Sequence, residues 1–372
     1  MKERQGLNTQ DRKKAGPVTV LFSGGGTGGH FFPLAAVASA LLERAPGSRV
    51  LFVGTRRGIE SRMCGRMGFP LVCLPVEGFA GRGPAARFRV LALLPMAVAA
   101  AVLLCLKWRP SVVVGSGGYA SFPSAVAAGI LGIPLLLLEQ NIVPGMANRM
   151  LSILARAVAL SFPETQSRFP ARGIVTGNPV RPELLGIGVP AEEGELRLLV
   201  LGGSRGARPI NRVVGEALPL LARVRGLNIV HQTGTEDLER VRETYADSGL
   251  VSRVEGFLFD MRREYSEAHL VLCRAGATTL AELAAAGRPA ILVPFPHAAG
   301  DHQTANARGF ERAGAAVCIA ESDLTPDRLW EIVDGLRGRS ERERMGSRMR
   351  GLGRPRAAWD IAGLVLRMGE AA

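Results

Sequence analysis

The same local pattern opens two parts of this sequence: a short apolar segment, a glycine-rich loop and a stretch with helical spacing. In the first copy, apolar residues 18–22 (VTVLF) lead into the loop 24–30 (GGGTGGH) and a helical pattern over 33–44. In the second, residues 196–201 (LRLLVL) lead into 202–207 (GGSRGA) and another helical stretch. A strand that turns through glycines into a helix is typical of α/β proteins. Because the pattern returns after about 180 residues, the sequence predicts two related domains.

Other apolar segments alternate with helical patterns over the rest of the chain. Strands that are apolar throughout are buried on both faces, which predicts a doubly wound parallel sheet in each domain. Two prolines in GNPVRP predict a hinge near residues 177–182. The segments lie at 51–53, 112–115, 135–139, 158–160, 174–178, 228–232, 269–273 and 290–295. We expect a disordered extension over 1–16, a first domain over 17–178, a second over 179–350 and a helix over 355–372 that returns to the first.

Composition narrows the classes of partner and cofactor. The chain has 46 Lys and Arg residues against 33 Asp and Glu, a net charge of +13, which predicts an acidic partner such as nucleic acid or anionic lipid. Aromatic residues make up 5% and do not interleave with basic ones, which disfavours nucleic acid. The five cysteines lack CxxC spacing, which predicts reduced thiols rather than a disulfide framework or a zinc site.

One apolar run raises the question of a membrane. Residues 90–106 (VLALLPMAVAAAVLLCL) carry no charge over 17 residues, at the short limit for a spanning helix, and Pro95 interrupts them. Two alternatives stay open: a buried helix of the first domain, or a helix whose exposed side enters a bilayer beside Arg82, Arg87 and Arg89. The first sixteen residues are polar and lack an apolar segment, so we do not expect them to be a signal peptide.

The first glycine loop also matches a dinucleotide-binding fingerprint. Gly24, Gly26 and Gly29 satisfy G-x-G-x-x-G, which alone is a weak match. The fingerprint needs an acidic residue after the next strand, and that strand ends in FVGTRR at 52–57 without one. The arginines leave an NADP-dependent dehydrogenase as a disfavoured alternative. His30, directly after the loop, is either a structural histidine at the turn or a proton-transfer group.

Residues 273–282 (CRAGATTLAE) follow a strand and open a helix. We expect Thr278 or Thr279 to cap this helix and leave free amides for a diphosphate. We expect Glu282 to accept hydrogen bonds from two ribose hydroxyls. The alternative is an ordinary capping box, which needs the same Thr-to-Glu spacing.

Polar residues over 297–306 have two interpretations. Gln303 and Asn306 are three residues apart on a predicted helix and suit sugar hydroxyls. A metal site at His297, Asp301 and His302 is disfavoured because their spacing fits no common motif.

Together, eight motifs in order resemble the MurG family of glycosyltransferases, which have the two-domain GT-B fold. The resemblance covers about residues 18–316. The motifs are GGGTGGHFFP (24–33), GSGGYASFP (115–123), LEQNIVPGMANR (138–149), GNPVR (177–181), LGGSRGA (201–207), HQTG (231–234), CRAGATTLAE (273–282) and VPFPHAAGDHQTANA (293–307).

The resemblance implies an enzyme of peptidoglycan synthesis, linked to cell shape and cell division. It would transfer N-acetylglucosamine, with inversion, from UDP-N-acetylglucosamine to the muramyl 4-hydroxyl of undecaprenyl-pyrophosphoryl-muramylpentapeptide, converting lipid I to lipid II. It implies His30 as general base. Its implied UDP-N-acetylglucosamine contacts are Thr27, Gly28, Gly29, Asn141, Arg181, Ser204, Leu258, Ala277, Thr278, Thr279, Leu280, Ala281, Glu282 and Gln303.

The resemblance also implies a peripheral protein on the cytoplasmic face of the bacterial inner membrane, in contact with an anionic surface and not with nucleic acid. Because the sequence has no convincing DxD motif, we expect no bound cofactor or catalytic metal, with free magnesium at most stimulatory. A UDP-sugar 2-epimerase, or another glycolipid transferase of the same fold, is the alternative. An epimerase would need additional acid and base groups around the sugar and no lipid-facing surface.

Overall fold

The structure is a computed structural model that describes residues 16–76, 84–190, 195–203 and 206–371, with the backbone alone for 84–92. It contains two parallel sheets with helices on both faces, which confirms the predicted fold class. The predicted disordered extension lies almost entirely outside the described residues, as do Arg82 and Ser204, and the side chains of Arg87 and Arg89 are not described.

The first domain holds a seven-stranded sheet in the order β3-β2-β1-β4-β5-β6-β7. Its strands are β1 (Thr19–Ser23), β2 (Arg49–Gly54), β3 (Leu71–Cys73), β4 (Val112–Gly115), β5 (Leu135–Glu139), β6 (Ala157–Leu160) and β7 (Gly173–Val175). Its helices are α1 (Gly28–Arg44), α2 (Glu60–Arg66), α3 (Pro84–Trp108), α4 (Gly118–Leu131) and α5 (Met146–Leu151), with a 3-10 turn at Pro163–Arg168.

The second domain holds a six-stranded sheet in the order β10-β9-β8-β11-β12-β13. Its strands are β8 (Leu196–Leu201), β9 (Leu227–Gln232), β10 (Val251–Glu255), β11 (Leu270–Cys273), β12 (Ala290–Leu292) and β13 (Ala316–Cys318). The helices from here to the end are α6 (Arg208–Leu221), α7 (Leu238–Ala246), α8 (Met261–Glu267), α9 (Ala277–Ala286), α10 (His302–Arg312), α11 (Pro326–Gly335), α12 (Arg339–Gly351) and α13 (Ala357–Glu370). Short 3-10 turns occupy Pro182–Leu184, Ala299–Asp301 and Glu321–Asp323.

Strand β1 shows why the central strands are apolar throughout. Successive side chains of a strand point to opposite faces of the sheet. Val20 and Phe22 enter a hydrophobic cluster on one face, and Leu21 enters a second cluster on the other. All three are at most 1% exposed, because helices cover both faces.

Helix α13 lies against the first domain rather than the second. Ile361 and Val365 are fully buried in the cluster that also contains α1. Arg44 of α1 donates to the carbonyl oxygen of Trp359 over 3.1 Å, and its guanidinium lies 5.2 Å from the ring centroid. Burial of each large aliphatic side chain contributes about 1.5–3 kcal/mol to stability. This packing therefore stabilises the contact of α13 with α1 in the first domain.

The apolar run 90–106 lies within α3, which has one buried and one exposed side. Ala97, Ala101 and Cys105 are buried at a spacing of four residues. Leu103 and Leu106 are 66% and 55% exposed. In the described part of the chain, the structure contains no helix that is both long and apolar enough to span a bilayer.

Candidate active site

The candidate active site is the cleft between the two domains. The strand order reverses between β1 and β4 in the first sheet, and between β8 and β11 in the second. The loops after such a strand pair run to opposite faces of the sheet and leave a crevice, where α/β proteins bind ligands. Residues from both crevices line one cleft of about 630 Å³.

His30 lies in the first turn of α1 and is partly exposed to this cleft. Its Nδ1 is 2.9 Å from the carbonyl oxygen of Ser116, in the loop after β4. Because a carbonyl only accepts, Nδ1 carries the hydrogen and Nε2 of the neutral ring keeps its lone pair. Burial lowers the pKa of His30, and the hydrogen bond to Ser116 partly opposes this. The imidazole is therefore neutral near pH 7 and can accept a proton.

The glycine loop before His30 forms the start of α1. The helix begins at Gly28 with Thr27 as its N-cap, so the predicted start at residue 33 was too late. Thr27, Gly28 and Gly29 line the cleft. The amides of a first helical turn have no carbonyl partner within the helix, so this turn offers hydrogen-bond donors to an anion.

A buried polar network follows β5 on the same side of the cleft. Glu139 accepts from the backbone amide of Asn141 over 3.0 Å and from Asn148 Nδ2 over 2.9 Å. Burial raises the pKa of Glu139, although these hydrogen bonds act in the opposite direction. Asn141 and Gln140 line the cleft. Both amide atoms of the Gln140 side chain are buried without a partner among the described residues.

Helix α9 forms the opposite side of the cleft. Its N-cap is Gly276, so the prediction that Thr278 or Thr279 caps the helix was wrong. Thr278 lies inside the first turn, and its Oγ1 donates to the carbonyl oxygen of Gly29 over 3.1 Å. Ala277 and Thr279 line the cleft. Among the described residues, no side chain caps this helix start, so its amides remain able to donate to an anion.

Glu282, in the middle of α9, accepts hydrogen bonds from two neighbouring side chains. Its Oε1 accepts from Arg181 over 2.9 Å, and its Oε2 accepts from the Tyr265 hydroxyl over 3.2 Å. The capping box is therefore not formed. All three residues line the cleft. Arg181 Nε also donates to Oε1, over 3.2 Å. Since each carboxylate oxygen can accept two hydrogen bonds, only Oε2 retains capacity, for one ribose hydroxyl rather than the predicted two.

Two other residues of the predicted α9 segment do not face the cleft. Leu280 is fully buried in the core of the second domain. Ala281 lines a separate, small crevice together with Phe162 and Asn178. A helix presents only part of its surface to one ligand. The predicted contacts of Leu280 and Ala281 with UDP-N-acetylglucosamine stay predictions.

The second glycine loop requires its glycine at position 206. Gly206 has a φ of 78°, and a Cβ there would lie 2.0 Å from the carbonyl oxygen of Thr233. Ser204 lies outside the described residues, so its predicted contact with UDP-N-acetylglucosamine stays a prediction. Leu258 has a buried side chain, and its amide already donates to Gln232 Oε1 over 3.1 Å.

Gln303 and Asn306 have different positions. Gln303 lines the cleft, and its Oε1 accepts from the amide of Phe295 over 3.0 Å. Asn306 is fully buried and connects the domains: its Nδ2 donates to Asn141 Oδ1 over 3.2 Å, and its Oδ1 accepts from the amide of Ile142 over 3.1 Å. The prediction that Asn306 faces the sugar was wrong, because these contacts occupy its side chain.

No group of three His, Cys, Asp or Glu side chains that could hold a metal occurs within the described ranges. His302 lines the cleft at the start of α10, while His297 is not among its lining residues. These positions do not support the metal site that the sequence already disfavoured.

Sequence reasoning missed several residues of the cleft and its supports. Tyr265 carries no motif signal. Gln140 lies in the motif 138–149, directly after the predicted strand 135–139, but the neighbouring Asn141 was selected instead. Glu60 is missing from the predicted set although its carboxylate accepts from the amide of Gly26 over 2.8 Å. Its one available signal was that it follows β2 by six residues, where the sequence up to 57 contains no acid.

Comparisons with known proteins agree with this geometry. Residues 20–160 match the glycosyltransferase family 28 N-terminal domain, and residues 197–358 match the corresponding C-terminal domain. A UDP-N-acetylglucosamine–N-acetylmuramyl-(pentapeptide) pyrophosphoryl-undecaprenol N-acetylglucosamine transferase from Syntrophotalea carbinolica is 49% identical, covering 85% of this chain and 89% of that protein. The chain belongs to the MurG family. The protein of the same name from Myxococcus xanthus is 44% identical over 92% of this chain and 91% of its own length.

Solved structures place the fold in the same group. The crystal structure of Acinetobacter baumannii MurG has a TM-score of 0.74 and 35% identity, covering 94% of this chain and 100% of that one. A UDP-GlcNAc 2-epimerase from Neisseria meningitidis, solved with UDP-GlcNAc bound, has a TM-score of 0.68 and 13% identity, covering 95% and 100%. At that identity the second likeness shows the shared fold alone.

Proposed function

We propose that this chain transfers N-acetylglucosamine from UDP-N-acetylglucosamine to the muramyl 4-hydroxyl of undecaprenyl-pyrophosphoryl-muramylpentapeptide, forming lipid II from lipid I. Its membership of the MurG family and the names of its relatives support this reaction. The observation that carries it in the structure is the contact between Thr278 Oγ1 and the Gly29 carbonyl oxygen. That contact brings the start of α9, a diphosphate site, next to the turn that holds His30.

His30 is the proposed general base. Nε2 would take the proton from the 4-hydroxyl as that oxygen attacks the anomeric carbon, and the bond from that carbon to the UDP oxygen breaks. Ser116 fixes the tautomer that leaves Nε2 free. Attack from the side opposite UDP inverts the configuration of the anomeric carbon. A base on one side of the cleft and a leaving-group site on the other favour this outcome.

The second domain stabilises the departing UDP in this proposal. Free amides at the start of α9 donate to the diphosphate, and the positive end of the helix dipole opposes the growing negative charge. Glu282 accepts from a ribose hydroxyl through Oε2, and Gln303 contacts the sugar. We propose no protein-bound metal and no other cofactor, with free magnesium at most stimulatory.

The protein would act at the cytoplasmic membrane surface, where the lipid acceptor lies. An apolar face, made of Met96, Leu103 and Leu106 on α3 and Ile130 on α4, presents large side chains that are 52–66% exposed. Groups of this kind enter a lipid interface, and the net charge of +13 favours anionic lipid. We propose peripheral attachment through this face, and through it a role in cell-wall synthesis, cell shape and cell division.

The epimerase alternative is tested by the product. Purified protein in detergent is given UDP-N-acetylglucosamine labelled in the sugar and a lipid-linked muramylpentapeptide analogue. Labelled lipid-linked disaccharide supports the proposal. Labelled UDP-N-acetylmannosamine, formed without use of the acceptor, would replace it with an epimerase; binding of the donor with neither product would point to another glycolipid acceptor.

A further inference from the structure

We propose that Glu60 is a positioning residue for the transfer, which fixes the first glycine loop and thereby the direction of His30. This inference rests on the proposed function, because it assigns a role in the same reaction. Glu60 lies at the start of α2, outside the set of cleft-lining residues, and is fully buried.

Three hydrogen bonds converge on the Glu60 carboxylate. Oε2 accepts from the amide of Gly26 over 2.8 Å, and Oε1 accepts from the amide and the hydroxyl of Thr55 over 2.7 and 2.8 Å. No Lys or Arg in the described part of the chain forms an ion pair with it. Removing a carboxylate from water is costly, so these charge-assisted hydrogen bonds are what stabilises it in this position.

Three glycines leave the space that this carboxylate fills. A Cβ on Gly25, Gly54 or Gly58 would lie 2.3, 2.4 or 2.1 Å from an atom of the Glu60 side chain. These glycines come from the first loop, the end of β2 and the segment before α2. A larger residue at any of these positions would displace the Glu60 side chain, which lies against the first glycine loop at Gly25.

A local structural role does not account for these contacts. An acidic residue in the first turn of a helix commonly supports the free amides of its own helix. Glu60 instead bonds Gly26, which precedes it by 34 residues, and Thr55, which precedes it by five. Its hydrogen bonds therefore connect α2 to the first glycine loop at Gly26 and to the segment after β2 at Thr55.

The loop needs such an anchor. Five of the six residues over 24–29 are glycine, and glycine loses more conformational freedom on ordering than any other residue. Gly26 has a φ of 82° and is four residues before His30. Glu60 fixes the loop at Gly26, and Ser116 fixes the imidazole at Nδ1. The Glu60 contact thus holds the backbone before His30, and the Ser116 contact holds the His30 ring. Together they set the position of Nε2, and the rate of transfer depends steeply on that position.

The test uses Glu60→Gln in the full-length protein. The variant keeps the side chain's shape, but an amide group cannot accept from both Gly26 and Thr55, since its NH2 meets one of the two N–H donors. We expect kcat to fall by about 10- to 100-fold. The KM for UDP-N-acetylglucosamine and the calorimetric Kd for UDP should stay within about twofold, because the proposed contacts with UDP lie mainly in the second domain. Thr55→Val is the matched control: it removes only the hydroxyl contact, so kcat should stay within about threefold.

Two further readouts separate the possible failures. Hydrogen exchange of the peptide that covers 22–31 should be faster in Glu60→Gln than in the wild type, whether or not transfer is detected. The positioning role would be overturned if Glu60→Gln left kcat unchanged or left hydrogen exchange of this peptide unchanged. It would also be overturned if the variant lost UDP affinity in parallel with a lower melting temperature. Absence of transfer by the wild type would count against the proposed function instead, and the exchange measurement would then decide the role of Glu60 alone.

Discussion

The Arg181 guanidinium donates to Glu282 Oε1 over 2.9 Å, which connects the segment between the domains to the helix that begins the proposed diphosphate site. Both side chains are less than 10% exposed. Removing one partner of a buried pair leaves the other charge unpaired and costs about 3–5 kcal/mol of stability. This pair therefore combines a structural role with the proposed ribose contact, and the two roles need different substitutions.

Glu282→Gln separates them. The amide oxygen can still accept from Arg181, whereas the NH2 group that replaces Oε2 donates and can no longer accept from a ribose hydroxyl. We expect the KM for the donor to rise about tenfold, with kcat changed less than about threefold. Steady-state kinetics and UDP calorimetry measure this. An unchanged donor KM in a folded variant would remove Glu282 from the donor site.

His30→Ala should lower kcat by about 10²- to 10⁴-fold, the range for loss of a general base. UDP affinity should not change, because the donor contacts lie mainly in the second domain. Burial lowers the pKa of His30 below 6.5, and a base must be deprotonated to act. The acidic limb of kcat/KM should therefore lie below pH 6.5 in the wild type. Near-normal kcat in His30→Ala would contradict the assignment.

His231 predicts how stability depends on pH. It is fully buried between Tyr245 and Asn211, and burial lowers its pKa to about 3. In the unfolded chain it titrates near 6.5, so the unfolded state binds more protons between these values and stability is lost as pH falls through that window. The contribution lost between pH 7 and pH 4 is about 3 kcal/mol. Urea denaturation at both pH values should show a smaller loss for His231→Gln; an equal loss would contradict the prediction.

The apolar face predicts membrane binding. Leu103→Glu combined with Leu106→Glu should reduce partitioning onto vesicles of anionic lipid by about tenfold or more, since each buried leucine contributes about 1.5–3 kcal/mol. Val251→Glu is the control, because Val251 is 71% exposed but lies on an edge strand of the second domain. Sedimentation with vesicles measures both. Equal loss in the control would attribute the effect to net charge rather than to this face.

The sequence predicted the central strands better than the edges. Runs such as 135–139 are apolar throughout because β5 is covered on both faces, and their bounds agree with the structure. Strands β3, β10 and β13 were not predicted. Each lies at an edge of its sheet and is short or partly exposed, so it lacks the continuous apolar pattern on which the prediction depended.

The site was predictable where a motif follows a strand. His30, Thr278 and Glu282 come directly after β1 or β11, where open sheets bind ligands. The residues that support the site were not predictable, because they depend on contacts between distant segments. Asn306 forms a hydrogen bond with Asn141, 165 residues away in sequence, and Glu60 forms one with Gly26, 34 residues away. A single sequence contains no signal for such pairs.

We propose a single displacement at the contact between α1 and α9, supported by side chains and helix amides and not by a bound metal. Transfer from UDP-N-acetylglucosamine to the lipid-linked acceptor by the purified protein in excess EDTA, followed by NMR assignment of the new linkage, tests this mechanism. We expect a rate within about threefold of that without chelator and a β-linked disaccharide from the α-linked donor. Loss of transfer in EDTA that is restored by a divalent cation, or an α-linked product, would contradict it.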